Sequence, residues 1–358
     1  GMPIPPPSAP GDLCTIQLTN SDTVPNATNA FVAASADGFI TDFAQVSGTV
    51  TGPNMRRLYD LGGLPLPGSA YDHVVPLVPQ ATNARSPFQM GIASQKSGYL
   101  VSAFDNSSAL GENWLVRLDE AGNVTAASKQ VRLPYGIAEG AAKADDGDWV
   151  VTHTVDAVAH QVVYSIGRVD RSGNLEATTQ SEYSFTAGDV SCARSPVIAK
   201  NGDTVAVADS WASADQKSRQ ATLYLKRPGQ KVQAIQLSEI RSNDVVTDPP
   251  ALCTVGGDTH KVIRVISHAD QFLVLWDMYV PKARIFQQNL TVVSAKDGTI
   301  LKTFSTFDLF PERLSISDIA SIPGGYAVSV ANLLWNESTY ERAAGIGILD
   351  ENFHLTST

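Results

Sequence analysis

The stretch Gly98–Val124 is the unit from which most of this chain is copied. It reads Tyr99-Leu100-Val101-Ser102-Ala103-Phe104-Asp105, a polar loop, Trp114-Leu115-Val116-Arg117-Leu118-Asp119, the turn Glu120-Ala121-Gly122, then Asn123-Val124. Apolar residues alternate with small or polar ones, the period of half-buried strands. Two markers recur along the chain. One is a two-residue hairpin turn: Asp37-Gly38, Ser97-Gly98, Asp146-Gly147, Asn201-Gly202, Ala269-Asp270 and Gly324-Gly325. The other is a turn ending at Gly63, Gly122, Gly173, Gly229, Gly298 and, with glycine lost, Phe353. The second follows the first by 24 to 28 residues each time, so the markers run in phase and six copies are present. Arg117-Leu118-Asp119 aligns without gaps on Arg168-Val169-Asp170, and Gly122-Asn123 on Gly173-Asn174.

Each copy supplies two hairpins joined by a loop. A four-stranded antiparallel unit of this length, repeated, is the blade of a β-propeller, whose blades stack around a channel and hide their faces from water. The Trp-Leu-Val-Arg-Leu-Asp segment and the Gly-Asn after it resemble the repeats of secreted bacterial β-propeller proteins, over residues 30–358. That resemblance implies the fold and carries no active site, because propellers host many unrelated functions. We therefore expect an all-β, six-bladed propeller of four-stranded antiparallel blades. It forms a single domain over residues 13–358, after a Pro-rich tail or linker at 1–12. A β-sandwich is the rival architecture. Leu13–Leu18 alternate like the ends of fourth strands, and only His354–Thr358 follow the last turn. The N-terminal strand is thus expected to complete the last blade and close the ring, removing two exposed edges. In the first copy the third strand, around Met55–Tyr59, reads as degenerate.

Charge and cysteines narrow the partners. Lys+Arg 26 against Asp+Glu 36 gives a net charge of −10, which argues against a nucleic-acid partner. No apolar run approaches the ~20 residues of a membrane helix, so no membrane span is expected. The Pro-rich lead-in and sequons beginning at Asn26, Asn106, Asn123, Asn289 and Asn336 favour a secreted or periplasmic protein. Cys192 and Cys253 precede the first strands of adjacent copies, where a disulfide is geometrically reasonable; two buried free thiols are the alternative, and Cys14 is left unpaired. A monomer is expected.

Propeller topology sorts the candidate site residues. Hairpin turns emerge on one face, and connections between blades and between second and third strands on the other. The long loops make that second face the functional one. Ala84-Arg85-Ser86-Pro87 and Ala193-Arg194-Ser195-Pro196 are identical tetrapeptides just before first strands. Arg85 and Arg194 suit a carboxylate or phosphate, which a guanidinium binds with a planar fork, with Glu139 from the intervening copy as a counter-charge. Arg264 and Arg313 are weaker additions. Alternatively, these arginines tie down neighbouring loops.

A second recurrence, seven residues past the first marker, is Asp105, Asp209, Asp277 and Asn332, with Thr154 in the third copy and His153 and Asp156 beside it. Such carboxylates bind sugar hydroxyls, hold calcium or act as general acid and base; equally, they cap strand ends. Trp211, Tyr279 and Trp335 follow in the same loops, as in a sugar platform or in ordinary loop packing. No Gly-x-Ser-x-Gly, His-Glu-x-x-His, CxxC or phosphate-binding glycine loop occurs, and the six histidines lack metal-ligand spacing. No cofactor is expected, calcium being the one ion the carboxylates suit. The leading reading is a propeller that binds a glycan or small anionic ligand at the loop-rich channel mouth. Its rivals are a glycoside hydrolase or lyase using paired aspartates, and a protein-interaction scaffold.

Overall fold

A computed structural model describes residues 24–25, 27–34, 38–47, 50–67, 88–95, 98–105, 112–129, 141–144, 147–156, 158–169, 175–176, 184–193, 196–215, 218–241, 259–280, 285–309, 314–332 and 343–357. Among these, six antiparallel sheets follow one another along the chain, one per sequence repeat. Blade 1 holds Ala27–Ala34, Gly38–Ser47 and Val50–Asp60. Blade 2 holds Phe88–Gln95, Gly98–Asp105, Glu112–Leu118 and Val124–Lys129. Blade 3 begins Ala141–Ala144, Gly147–Asp156 and Gln161–Val169, and two short pieces, Leu175–Glu176 and Phe185–Gly188, share its outer edge. Blade 4 has a first strand in two pieces, Val190–Ala193 and Val197–Asn201, then Thr204–Ser213, Ser218–Lys226 and Gln233–Arg241. Blade 5 is Thr259–His268, Gln271–Val280, Ile285–Ser294 and Ile300–Ser305. Blade 6 is Leu314–Ile322, Gly325–Asn332, Ala343–Asp350 and Leu355–Ser357.

The ring is closed by its innermost strands. Each first strand touches the first strand of the next blade, and that of blade 6 touches Ala27–Ala34 of blade 1. Between blades lie apolar seams, because alternate residues of one strand face opposite neighbours. Val32, Phe39 and Tyr59 of blade 1 pack with Ala320, Ile322 and Ala327 of blade 6. Tyr99 and Val101 of blade 2 face Ala33 and Ile40 of blade 1. The same alternation builds the seams between blades 3 and 4, 4 and 5, and 5 and 6.

Two expectations need adjustment. Blade 1 has three strands among the described residues, and its third, Val50–Asp60, is a full strand rather than a degenerate one. Its Phe39 and Tyr59 rings stack at 5.1 Å, so packing compensates for the weak pattern. Residues 13–18 lie outside the described residues. The N-terminal segment that does pair in the terminal blade is Val24–Pro25, against Ala343 and Ala344. Among the described residues no helix is long and apolar enough to cross a membrane.

The repeated Leu-Asp turn has a direct physical cause. The Asp119 carboxylate accepts the Asn123 backbone N–H at 2.8 Å, and Asp60 and Asp350 accept the equivalent Leu64 and His354 N–H at the same distance. Such a side-chain cap fixes the reversal between third and fourth strands. Glycine is required where the next hairpin passes closest: a Cβ on Gly98, which sits at φ 107°, would fall on the Leu118 carbonyl.

A bulge recurs in the first strands, where one extra residue shifts the register against the second strand. It falls between Val262 and Arg264 in blade 5 and between Ile316 and Asp318 in blade 6. There it sets two charges side by side. The Asp318 Oδ1 lies 3.4 Å from Arg264 Nε, and Oδ2 accepts the Val32 N–H of blade 1 at 2.9 Å. Gln288 of blade 5 grips the same bulge, accepting the Ile316 N–H at 2.7 Å and donating to the Ile316 carbonyl at 3.0 Å. Removing one partner of a buried pair leaves the other charge unsatisfied. Asp318→Ala should therefore lower folding stability by about 3–5 kcal/mol in chemical denaturation. A loss below about 1 kcal/mol, the scale of a surface pair, would contradict the assignment.

Candidate functional site

The connections between blades and between second and third strands emerge at the far ends of the second strands, so polar side chains in those halves of the strands are the first place to look. In the seam between blades 3 and 4 they gather. Thr204–Ser213 places Asp209 in the half nearer its connection, and Val205, Val207 and Asp209 share the side that faces blade 3. Gly147–Asp156 and Gln161–Val169 bring His153 and Tyr164 opposite each other as cross-strand neighbours. Asp209 is 0% exposed, and its Oδ2 accepts the Tyr164 hydroxyl at 3.0 Å.

Asp209 also serves its own backbone. The first strand of blade 4 is interrupted between Ala193, which pairs with Trp211, and Val197, which pairs with Ala208. Asp209 and Ser210 stand opposite that interruption, and Asp209 Oδ1 accepts the Ser210 N–H at 2.7 Å. Ala193 ends the piece before that interruption and Pro196 sits just ahead of Val197–Asn201, while Arg194 and Ser195 lie outside the described residues. A prolyl residue at that break costs no ladder bond, since Pro has no N–H to give.

Aromatic rings wall this carboxylate. Tyr164, Phe185 and Tyr224 form a triangle with centroid separations of 4.9, 5.4 and 5.3 Å. Trp211, half-buried, donates its indole N–H to Thr222 Oγ1 at 3.2 Å. Burial first, then the Asp209 charge, pushes the Tyr164 and Tyr224 hydroxyls well above the ordinary tyrosine range, so both stay protonated donors. His153 goes the other way: burial lowers it to about 4, so its ring is neutral at physiological pH. Its Nδ1 lies 4.0 Å from Asp209 Oδ2, too far for a hydrogen bond, and has no partner among the described residues.

The other sequence candidates scatter. Arg85, Glu139, Arg194 and Trp335 lie outside the described residues, as do Cys14, Cys253 and Arg313. Cys192 is disulfide-bonded. Asp105 and Tyr279 sit in the second strands of blades 2 and 5, with side chains outside the described set. Asp277 pairs across the ladder with Gln288, on the side of blade 5 that faces blade 6. Asp209 faces blade 3, so the two carboxylates look into different seams. The reason is register. Asp105 lies seven residues past the start of its strand, Asp277 six and Asp209 five, because the marker residue (Gly98, Asp270 or Gly202) occupies a different position in each turn. One residue of slip turns a side chain to the other face. Asp209 and Asp277 therefore do not make the facing pair that acid–base hydrolysis needs.

Three contributors escaped the sequence reading: Tyr164, Tyr224 and Phe185 look like ordinary strand aromatics, and only the seam reveals their common neighbour. Among the described residues no group of three or more His, Cys, Asp or Glu is arranged to hold a metal ion.

No protein-family model matches this sequence. No curated protein matches it either. Solved structures resemble it at the level of shape. A subtype N10 neuraminidase-like protein of A/little yellow-shouldered bat/Guatemala/060/2010 matches with TM-score 0.46 and 9% identity, over 90% of this chain and 94% of that one. A protein of unknown function from Bacteroides caccae gives TM-score 0.42 and 11% identity, over 83% and 86%. An endo-arabinanase from Bacillus licheniformis gives 0.39 and 9%, over 92% and 97%. These values are too low to carry a residue role or a ligand to this chain.

The depressed His153 has a consequence for stability. Its folded value lies below its ordinary 6.5, so the unfolded chain binds a proton that the folded chain refuses between about pH 6.5 and 4. Stability contributed by this group is therefore intact above pH 6.5 and is lost as pH falls toward 4. His153→Gln should flatten the stability–pH profile in that window by one proton's slope, read from urea midpoints at each pH. A variant with the wild-type slope would show that His153 titrates normally.

Proposed function

We propose that the protein binds a glycan or another small polar ligand at the loop-bearing face of its propeller, with the seam between blades 3 and 4 as the anchor point. The observation that carries this is the Asp209 carboxylate. It is fully buried beside the break in the inner strand, holds a tyrosine hydroxyl, and is flanked by aromatic rings and a half-buried tryptophan. Shifted titratable groups gathered inside an apolar, aromatic wall have the composition of a recognition site. Asp209 and Asp277 face different seams, which argues against that one pair as acid and base.

Three further points belong to the same proposal. Export to an oxidising compartment is supported by the disulfide at Cys192. Completion of the ring by the N-terminal segment is supported by the pairing of Val24 with Ala344. With the ring complete and its edges short, the protein acts as a monomer.

An array of neutral and acidic glycans, probed with the intact protein, tests the central point. Binding should weaken at least about tenfold in Asp209→Asn and in Trp211→Leu, each with a wild-type circular-dichroism spectrum. A protein that binds nothing on the array, or that keeps wild-type affinity after both changes, would contradict the proposal.

A further inference from the structure

We infer that Asn123 is an acceptor for N-linked glycosylation and that Asn289, the other sequon asparagine among the described residues, is not. The inference rests on the export proposed above and is independent of the ligand-binding role. Five Asn-x-Ser/Thr sequons run along the chain, and the two at Asn123 and Asn289 fall within described strands and turns with opposite surroundings.

Asn123-Val124-Thr125 leaves the turn between the third and fourth strands of blade 2. Asn123 and Thr125 are both exposed, with Val124 half-buried between them. In glycosylation the asparagine side-chain nitrogen attacks the anomeric carbon of a lipid-linked oligosaccharide diphosphate. A carbon–nitrogen bond forms, the bond from that carbon to the diphosphate oxygen breaks, and the nitrogen gives up one of its two protons. The product keeps one N–H, and Asn123 needs one. Its Nδ2 donates to Asp119 Oδ2 at 3.1 Å, while its backbone N–H, which the reaction leaves alone, donates to Asp119 Oδ1 at 2.8 Å. The cap that fixes this turn is therefore compatible with the modification. The turn also belongs to the hairpin-turn face, so a glycan there leaves the loop-bearing face open.

Asn289-Leu290-Thr291 lies in the middle of the third strand of blade 5. Asn289 has Trp276 opposite it on one side and Ser305 on the other. Alternation puts it on the same side of the strand as Thr291 and Val293, and Val293 and Trp276 belong to the apolar seam with blade 4. Thr291 is buried, and its hydroxyl accepts the Trp276 indole N–H at 3.0 Å. An oligosaccharide on Asn289 would have to leave between two packed blades. Folding and modification at that residue exclude one another.

The test is site-resolved mass spectrometry of the full chain, exported from a eukaryotic cell behind a cleavable secretion signal. The added signal supplies export, so failure of the export proposal and failure of this assignment stay distinct. Enzymatic deglycosylation in heavy-oxygen water marks each occupied asparagine as a labelled aspartate, which separates Asn123 and Asn289 from the other sequons. In the secreted protein Asn123 should be occupied in most molecules and Asn289 should be bare. Thr125→Ala should abolish occupancy at Asn123 and Thr125→Ser should keep it, while both variants retain the Asp119 bonds. Secreted protein that is bare at Asn123, or that carries a glycan at Asn289, would overturn the assignment. Protein retained inside the cell is mapped in the same way, and a bare Asn123 there would overturn it as well.

Discussion

One carboxylate ties three blades together. Asp318 is 2% exposed; it meets Arg264 of blade 5, receives the Val32 N–H of blade 1, and bonds its own following N–H at Ile319 at 2.9 Å. Burial opposes its ionisation and wins overall, raising it above the ordinary carboxylate value, while Arg264 and the two amides pull the other way. A charge kept in such a place persists because several fixed partners share it, and those partners belong to the blades that must meet for the ring to close. The bulges in the first strands make this possible, because an extra residue re-aims the side chain that follows it.

The same device appears in blade 4 with a different outcome. Asp209, like Asp318, accepts the N–H of the next residue where the inner strand departs from regular pairing. Asp318 lies against a guanidinium that closes a seam. Asp209 lies against a phenol and a neutral imidazole, in the half of its strand nearer the connection to the third strand. One architectural solution thus yields a latch between blades 5, 6 and 1 and a recognition point between blades 3 and 4.

The blades were legible in the sequence because alternation, glycine turns and the Leu-Asp cap all express local physics: Asp119 and Asn123 are four residues apart and meet within one turn. The site was legible only in part. Asp209, His153 and Trp211 stand out by residue type, yet counting from the turn markers put Asp209 and Asp277 at one position when they face different seams. Strand register depends on where each turn closes, and a glycine at Gly98 starts a strand whereas Gly202 lies inside the turn. Asp318 left a fainter sign, a single charge within the strand Leu314–Ile322, and its partners Arg264 and Val32 lie 54 and 286 residues away. Contacts of that span follow from ring closure, which no local pattern encodes.

Residue-resolved hydrogen exchange on the intact protein tests the closed ring most directly. The Val32 and Ile319 amides are held by a buried carboxylate at the junction of the last and first blades, so they should exchange only through global unfolding, as slowly as the slowest amides of the seams. Exchange of both at the rate of the exposed turn amides, such as Gly62, would mean that blades 6 and 1 separate freely and that Asp318 does not close the ring.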